Sequence, residues 1–244
     1  GIAPERAAEL LASETAALAH AKHVIVTSPM TGKLVEAHLA VPPSKITVAE
    51  PGTDAAPRAT CSGKPLQLLA VGSIVPRKGY TVLIEALRAL PPGDWRLTIA
   101  GADRDADERA RVDAAIAASG RAERITLAGA VDDETLATLY AAADLFVMPS
   151  LFEGYGMVLA EAMARGLPIV CTTGGAAAET VPDAAALKVP PGEASALSVA
   201  LAKAIGDDSL RASLADASWA AGQSLPRWTD TARIIADVIK DVAR

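Results

Sequence analysis

Short apolar runs alternate strictly with longer amphipathic segments between residues 66 and 189. The apolar runs predict β-strands, and the segments between them predict α-helices because their apolar residues recur at helical spacing. The predicted strands cover residues 66–71, 95–100, 124–128, 145–148, 169–171 and 187–189. The predicted helices cover residues 78–90, 105–120 and 132–143, and a fourth begins near Gly156. This alternation predicts an α/β fold with a doubly wound parallel sheet, in which ligands bind outside the carboxyl ends of the strands.

The residues on either side of this region are organised differently. The N-terminal part holds two predicted helices and two short strands, at residues 23–26 and 46–48. A polar stretch with proline and glycine, residues 55–63, follows as a linker. Helices after the last strand are predicted at 193–205, 208–221 and 228–244. We therefore divide the chain into residues 1–54, 55–224 and 225–244.

Composition excludes several classes of protein. The formal net charge of −6 argues against a general nucleic-acid-binding protein, and no apolar run is long enough to span a bilayer. Cys61 and Cys171 fit no metal-binding spacing and indicate a reducing compartment. His20, His23 and His38 lack a nearby completing ligand, so we interpret them as structural or surface residues and expect no metal. The expected location is the cytoplasm, with peripheral membrane attachment through a missing domain as the alternative.

The stretch that follows the predicted strand 145–148 carries the clearest chemical signal. Glu153 falls in a loop with two glycines, Gly154 and Gly156, and Glu161 falls about one and a half turns into the next helix. Glycines allow close approach of the backbone to a ligand, and the first turn of a helix presents unpaired N–H groups to phosphate or sugar oxygens. We therefore expect both carboxylates to face one pocket.

The first strand–helix turn of the alternating region is a second candidate. Gly72 directly follows the strand 66–71, and Arg77 and Lys78 stand where the next helix is predicted to begin. Two cations at this edge would make charge-assisted contacts with a diphosphate. This turn has no Gly-x-Gly-x-x-Gly pattern, so a nicotinamide cofactor is not expected.

The segment PSLFEGYGMVLAEAMARGLPIV, with seven residues between its two Glu, resembles the signature of retaining nucleotide-sugar glycosyltransferases of family 4. The resemblance covers about residues 20–244. It implies a GT-B fold in which residues 55–224 form the nucleotide-sugar donor domain. It further implies that residues 1–54 end an N-terminal acceptor domain and that the helix in 225–244 crosses back to that domain.

The resemblance also implies roles for individual residues. Glu161 would accept hydrogen bonds from the ribose hydroxyls, whereas Glu153 and Lys78, the implied catalytic residues, would contact the sugar and the diphosphate. The implied donor-binding residues are Gly72, Ser73, Arg77, Lys78, Val131, Glu153, Gly154, Tyr155, Gly156, Met157, Val158 and Glu161.

One residue departs from the pattern of this family. Ser73 stands where the family has an arginine, while Lys78 matches the lysine before the following glycine. Arg77 is the candidate for the missing charge, although a neighbouring position need not point into the same pocket. The sequence therefore assigns diphosphate binding more firmly to Lys78 than to Arg77.

The implied reaction transfers a sugar from a nucleoside diphosphate to an unknown acceptor, with retained configuration and without a metal or cofactor. The family's acceptor-side glycine-rich loop and catalytic His have no match in these residues. We therefore expect the chain alone to transfer no sugar, and to bind a missing N-terminal half or to self-associate. The alternative is a non-catalytic nucleotide-sugar-binding protein or subunit that needs a partner for the acceptor half. A sugar-nucleotide epimerase of the same architecture is a weaker alternative, which the Glu153–Glu161 stretch matches poorly.

Overall fold

The structure, a computed structural model, describes residues 3–61, 63–91 and 93–243. Parts of three predicted segments lie outside these residues. They are residues 1 and 2 of the N-terminal segment, Ser62 of the linker, and Arg244 at the end of the last helix.

The chain forms two compact units, one made of Gly1–Gly52 with Pro226–Arg244 and the other of Thr53–Leu225. The α-helices in chain order are α1 (Pro4–Ala19), α2 (Pro29–Leu39), α3 (Tyr80–Arg88), α4 (Ala106–Ala118), α5 (Asp133–Ala142), α6 (Met157–Ala164), α7 (Ala177–Thr180), α8 (Ala194–Gly206), α9 (Asp208–Gln223) and α10 (Trp228–Val242). The strands are β1 (Val24–Val26), β2 (Ile46–Val48), β3 (Leu66–Val71), β4 (Trp95–Ala100), β5 (Ile125–Gly129), β6 (Leu145–Met148), β7 (Ile169–Thr172) and β8 (Ala186–Val189).

The larger unit is built on a parallel sheet that, within the described residues, has six strands in the order β5-β4-β3-β6-β7-β8. Every neighbouring pair is parallel. The chain runs outwards in one direction from β3 to β5 and then returns to the other side at β6. Such a reversal opens a crevice between the carboxyl ends of two adjacent strands, here β3 and β6. The predicted doubly wound parallel sheet is confirmed.

The sheet is buried on both faces, as its continuous apolar strands predict. Side chains alternate along β6, so that Leu145 and Val147 pack in one apolar cluster while Phe146 and Met148 pack in another. Residues of α3 and α8 complete the first cluster, and residues of α6 complete the second. Burial of each large apolar side chain contributes about 1.5–3 kcal/mol, which fixes the strands and therefore the loops at their ends.

The start of the helix predicted at residues 78–90 was wrong. Lys78 lies in a short 3-10 turn, Pro76–Lys78, and α3 begins only at Tyr80. The cause is Gly79, whose φ of 67° is left-handed and interrupts the helix. A Cβ at Gly79 would lie 2.3 Å from the carbonyl oxygen of Pro149, so the loop after β6 passes directly against this turn. The short helix α7 was also absent from the prediction.

The two cysteines lie in different environments. Cys171 is buried within β7, and burial raises the pKa of its thiol to about 12. Cys61 is exposed, and its thiol lies 3.8 Å from the carbonyl oxygen of Ala143, just before β6 begins. Cys61 therefore lies at the amino edge of the sheet, where the strands start.

The smaller unit contains a two-stranded sheet in which β1 and β2 are parallel. His23 makes a 2.8 Å hydrogen bond with Thr47, as a structural histidine would. The hydroxyl of Thr231, on α10, donates to the carbonyl oxygen of Glu50 at 2.6 Å, and Lys22 donates to that of Val242 at 3.3 Å. These bonds join α10 to the N-terminal residues of the same unit. Among the helices described, none has the length and apolar character needed to cross a membrane.

Candidate functional site

The loop between β6 and α6 is held by the loops that follow the neighbouring strands. The amide of Leu151 donates to the carbonyl oxygen of Arg77 at 2.7 Å, which ties the loop to the turn after β3. The amide of Glu153 donates to Gly174 at 3.1 Å, and the amide of Ala176 donates to Glu153 at 2.8 Å, which ties it to the residues after β7. The loop is thus fixed at the crevice between β3 and β6.

The carboxylate of Glu153 is buried and is the centre of an ion-pair cluster, which we call the Glu153 cluster and which comprises Arg77, Lys78, Ser150 and Glu153. Its Oε1 accepts hydrogen bonds from Lys78 Nζ and Ser150 Oγ, both at 2.7 Å. Its Oε2 accepts from Arg77 Nη1 at 3.1 Å. Glu153 is only 6% exposed, so these partners compensate for most of its lost hydration.

The cations decide the protonation state of Glu153. Burial by itself favours the neutral acid and would raise the pKa. The charge of Lys78 and the hydrogen bonds from Lys78 and Ser150 oppose burial, and Arg77 adds to them. They outweigh it, so the pKa of the Glu153 carboxyl lies below its usual value. Glu153 is therefore a carboxylate at neutral pH.

Lys78 is 8% exposed, and its side chain lies against Gly72. A Cβ at Gly72 would be 2.9 Å from Lys78 Cε and 3.1 Å from Nζ, and the φ of Gly72 is 149°. The hydroxyl of Tyr80 donates to the carbonyl oxygen of Gly72 at 2.8 Å and fixes this turn. The glycine at the end of β3 thus makes room for the side chain of Lys78.

Arg77 and Ser73 differ in their relation to the cluster. The side chain of Arg77 is 54% exposed, and its guanidinium reaches Glu153 and also donates to the carbonyl oxygen of Phe152 at 3.3 Å. Ser73 is half-buried, and within the described residues no hydrogen bond joins its side chain to the cluster. The second positive charge at this edge therefore comes from Arg77.

Glu161 belongs to a separate cluster on α6. Its Oε2 accepts a 2.8 Å hydrogen bond from the hydroxyl of Tyr140, on the last turn of α5. Arg165 lies over the Tyr140 ring at 4.5 Å and donates to the backbone oxygen of Glu161 at 3.1 Å. Burial and the Glu161 carboxylate raise the pKa of Tyr140 well above its usual value. Within the described residues no hydrogen bond joins the Glu153 side chain to that of Glu161.

The remaining predicted site residues lie at the same edge of the sheet. Gly156 has a φ of 93° and immediately precedes α6, whose first residue, Met157, is half-exposed. Tyr155 is buried, and its carbonyl oxygen accepts a 2.6 Å hydrogen bond from Thr180. Val131 follows β5, the edge strand, and is therefore separated from β3 by β4. The two other members of the predicted set here are Gly154 and Val158.

Sequence reasoning missed Ser150 and Tyr140. Ser150 stands three residues before Glu153, which is a usable signal for a local hydrogen bond, but many serines at such spacing face solvent. Tyr140 sits on the apolar side of a helix, where a tyrosine is ordinarily part of the core.

In the described residues, no group of three or more His, Cys, Asp or Glu side chains is arranged to hold a metal ion.

A family model described as glycosyl transferases group 1 matches residues 55–219, which is more than half of the 244-residue chain. The O-antigen chain mannosyltransferase B of Escherichia coli is 35% identical over 147 residues, which are 59% of this chain and 38% of that protein. The GDP-mannose:cellobiosyl-diphosphopolyprenol alpha-mannosyltransferase of Xanthomonas campestris is 35% identical over 161 residues, which are 64% of this chain and 41% of that protein.

Among solved structures, the chain is similar to sucrose-phosphate synthase from Thermosynechococcus elongatus, with a TM-score of 0.86 and 28% identity. The match covers 99% of this chain and 64% of that structure. The chain therefore spans less than two thirds of the length of each of these relatives. The predicted membership of a glycosyltransferase family is confirmed. The chain belongs to the group 1 family of glycosyl transferases, and the parallel sheet of its larger unit is of the kind found in GT-B glycosyltransferases.

Proposed function

We propose that this chain is the donor-binding half of a retaining glycosyltransferase that takes its sugar from a nucleoside diphosphate. The observation that carries the proposal is the Glu153 cluster, in which two cations and one carboxylate leave a net charge of +1. This cluster lies at the crevice between β3 and β6, beside the start of α6. A positive cluster next to the N-terminus of a helix favours a diphosphate.

Lys78 has donors available for this ligand. An ammonium group has three hydrogens, and in the described residues Lys78 uses one, towards Glu153. The other two are free to bind phosphate oxygens while Glu153 keeps its contact. As the glycosidic bond breaks, negative charge grows on the leaving diphosphate, and Lys78 and Arg77 would stabilise it. The amides of the first turn of α6 would do the same.

Glu153 fits a sugar contact better than it fits a nucleophile. Its two oxygens accept three hydrogen bonds from Lys78, Ser150 and Arg77. A carboxylate accepts about four, so one position remains for a sugar hydroxyl. Two cations lower the nucleophilicity of this carboxylate, which argues against a double displacement through Glu153. Glu161 would accept hydrogen bonds from the ribose.

The names of relatives support the donor class. One relative at 35% identity is named for GDP-mannose, a nucleoside diphosphate sugar. We extend this class of donor to the present chain and assign the donor site to residues 55–224. We further propose that these 244 residues bind the donor without transferring its sugar, because the family's acceptor loop and catalytic His have no match in them.

The test of donor binding is calorimetry of the chain with UDP, GDP and ADP. At least one should bind, and Lys78→Ala should weaken that binding, whereas a change at Lys203, an exposed lysine of α8, should not. If none of the three nucleotides binds, the proposal is wrong.

The retaining stereochemistry has a separate test. A protein that joins this chain to an acceptor-binding half should be given the donor and an acceptor, and the anomeric configuration of the product should be read by NMR. Inversion would contradict the retaining reaction and leave donor binding unaffected. Turnover by the 244 residues alone would contradict the proposal that they only bind the donor.

A further inference from the structure

We infer that Tyr140 is a positioning residue for ribose recognition, because its hydroxyl holds one oxygen of Glu161 and leaves the other for the hydroxyls of a nucleotide. This inference rests on the proposed donor site and adds a residue to it. Tyr140 would touch no ligand itself and would act through Glu161.

The hydroxyl of Tyr140 is placed by a rigid ring. The tyrosine is fully buried, at 0% exposure, and its ring stacks on Phe146 of β6 with centroids 5.7 Å apart. The guanidinium of Arg165 also covers the ring, at 4.5 Å. A side chain packed in this way has few other rotamers, so its hydroxyl defines a fixed point for the Glu161 carboxylate.

The hydrogen bond fixes the position of the Glu161 carboxylate without neutralising its charge. The Glu161 side chain has three rotatable bonds between its backbone and its carboxylate, and a 2.8 Å hydrogen bond from Tyr140 to Oε2 removes much of that freedom. The donor is a neutral phenol, which stays protonated because burial and the adjacent carboxylate both raise its pKa. The negative charge of Glu161 thus remains available to strengthen hydrogen bonds from a ligand.

The other oxygen of Glu161 is open to a partner. In the described part of the chain, Oε1 accepts no hydrogen bond from the protein. In the same residues, the side-chain polar atom that is both fully buried and without a hydrogen-bond partner is Ser218 Oγ. Glu161 Oε1 has no partner and is not such an atom, so it is accessible to solvent. One anchored oxygen and one open oxygen form an acceptor edge that suits two neighbouring hydroxyls, the pattern that ribose presents.

The variant Tyr140→Phe removes the hydroxyl and keeps the ring that packs on Phe146. The probes are whichever of UDP, GDP and ADP binds the unmodified chain, and its 2′,3′-dideoxy counterpart, with affinities measured by calorimetry. We expect the variant to bind the ribonucleotide roughly three- to tenfold more weakly and the dideoxynucleotide equally well. Because the effect passes through Glu161, the double variant Tyr140→Phe, Glu161→Gln should bind no more weakly than Glu161→Gln alone.

The two ligands separate a positioning role from a structural one. A variant that loses affinity equally for both nucleotides would show a general disturbance of the site, and unchanged affinity for both would show that the hydroxyl is irrelevant. Either result overturns the inference and leaves the proposed function in place. If the unmodified chain binds none of the ribonucleotides, the proposed function fails and this inference fails with it.

Discussion

The two glutamates of the loop and helix after β6 are held in opposite ways. Glu153 is surrounded by charged donors, Lys78 and Arg77, and by the hydroxyl of Ser150. Glu161 is held by one neutral hydroxyl, that of Tyr140. The charge of Glu153 is therefore paired with the protein's own cations, whereas we propose that the charge of Glu161 acts on a ligand. Two carboxylates eight positions apart can thus perform different tasks in one site.

The largest expected effect comes from replacing Lys78, a cation that is paired with Glu153. Lys78→Ala would leave the buried Glu153 with Arg77 and Ser150 alone, so the free energy of unfolding should fall by about 2–4 kcal/mol. Affinity for the nucleoside diphosphate should fall roughly 10- to 100-fold, because a charge-assisted contact is lost. Urea unfolding and calorimetry measure the two effects. Lys203→Ala is the matched control, and equal behaviour of the two variants would remove Lys78 from the site.

The next effect concerns the second glutamate. Glu161→Gln should weaken binding of the nucleoside diphosphate by roughly tenfold, because an amide oxygen is a weaker acceptor than a carboxylate and its NH₂ group cannot accept at all. The unfolding free energy should change little, since the amide oxygen still accepts from Tyr140. Glu85→Gln, at an exposed position on α3, is the control for charge alone. Equal losses of affinity in both variants would reduce the role of Glu161 to long-range electrostatics.

A smaller effect distinguishes the two glutamates by the ligand whose binding each one supports, the bare nucleoside diphosphate or its sugar conjugate. Glu153→Gln raises the net charge of its cluster from +1 to +2, so binding of the bare nucleoside diphosphate should be unchanged or up to a few-fold tighter. Binding of the sugar conjugate should lose whatever advantage it has over the bare diphosphate. Calorimetry with both ligands gives the comparison. If Glu153→Gln weakens the bare diphosphate as much as Glu161→Gln does, the proposed division of tasks is wrong.

The smallest effect is the dependence of stability on pH. The folded-state pKa of Glu153 lies below its unfolded value, so its contribution to stability is present above the unfolded pKa of about 4.3 and is lost as the pH falls through the folded value. The difference in unfolding free energy between the unmodified chain and Glu153→Gln should therefore shrink between pH 6 and pH 3. A difference that stays constant over this range would show that the ion pairs add no net stability.

Much of the fold could be predicted because its signals are local. The strand β6 and the glycine-rich loop after it are marked by adjacent residues, and strand alternation implies a parallel sheet with a ligand edge. The contacts of Lys78 were not predictable, since the lysine meets Glu153 across 75 positions of sequence. The role of Tyr140 was hidden for a different reason. Its ring occupies a core-facing position of α5, as an apolar side chain would, and only its hydroxyl is polar.

The positions of the two cysteines make the folded chain suitable for selective labelling. A maleimide dye should attach at the exposed Cys61 and leave Cys171 of β7 untouched, so no engineered cysteine is required. Although the residue is exposed, partial burial of its sulfur and the nearby Asp144 raise the pKa of the Cys61 thiol, so mildly alkaline buffer would speed the coupling. The dye would sit at the amino edge of the sheet, and β6, with its four residues, places the Glu153 loop about 13 Å away along the strand direction. Fluorescence anisotropy and quenching could then follow nucleotide binding from the edge of the sheet opposite the proposed donor site.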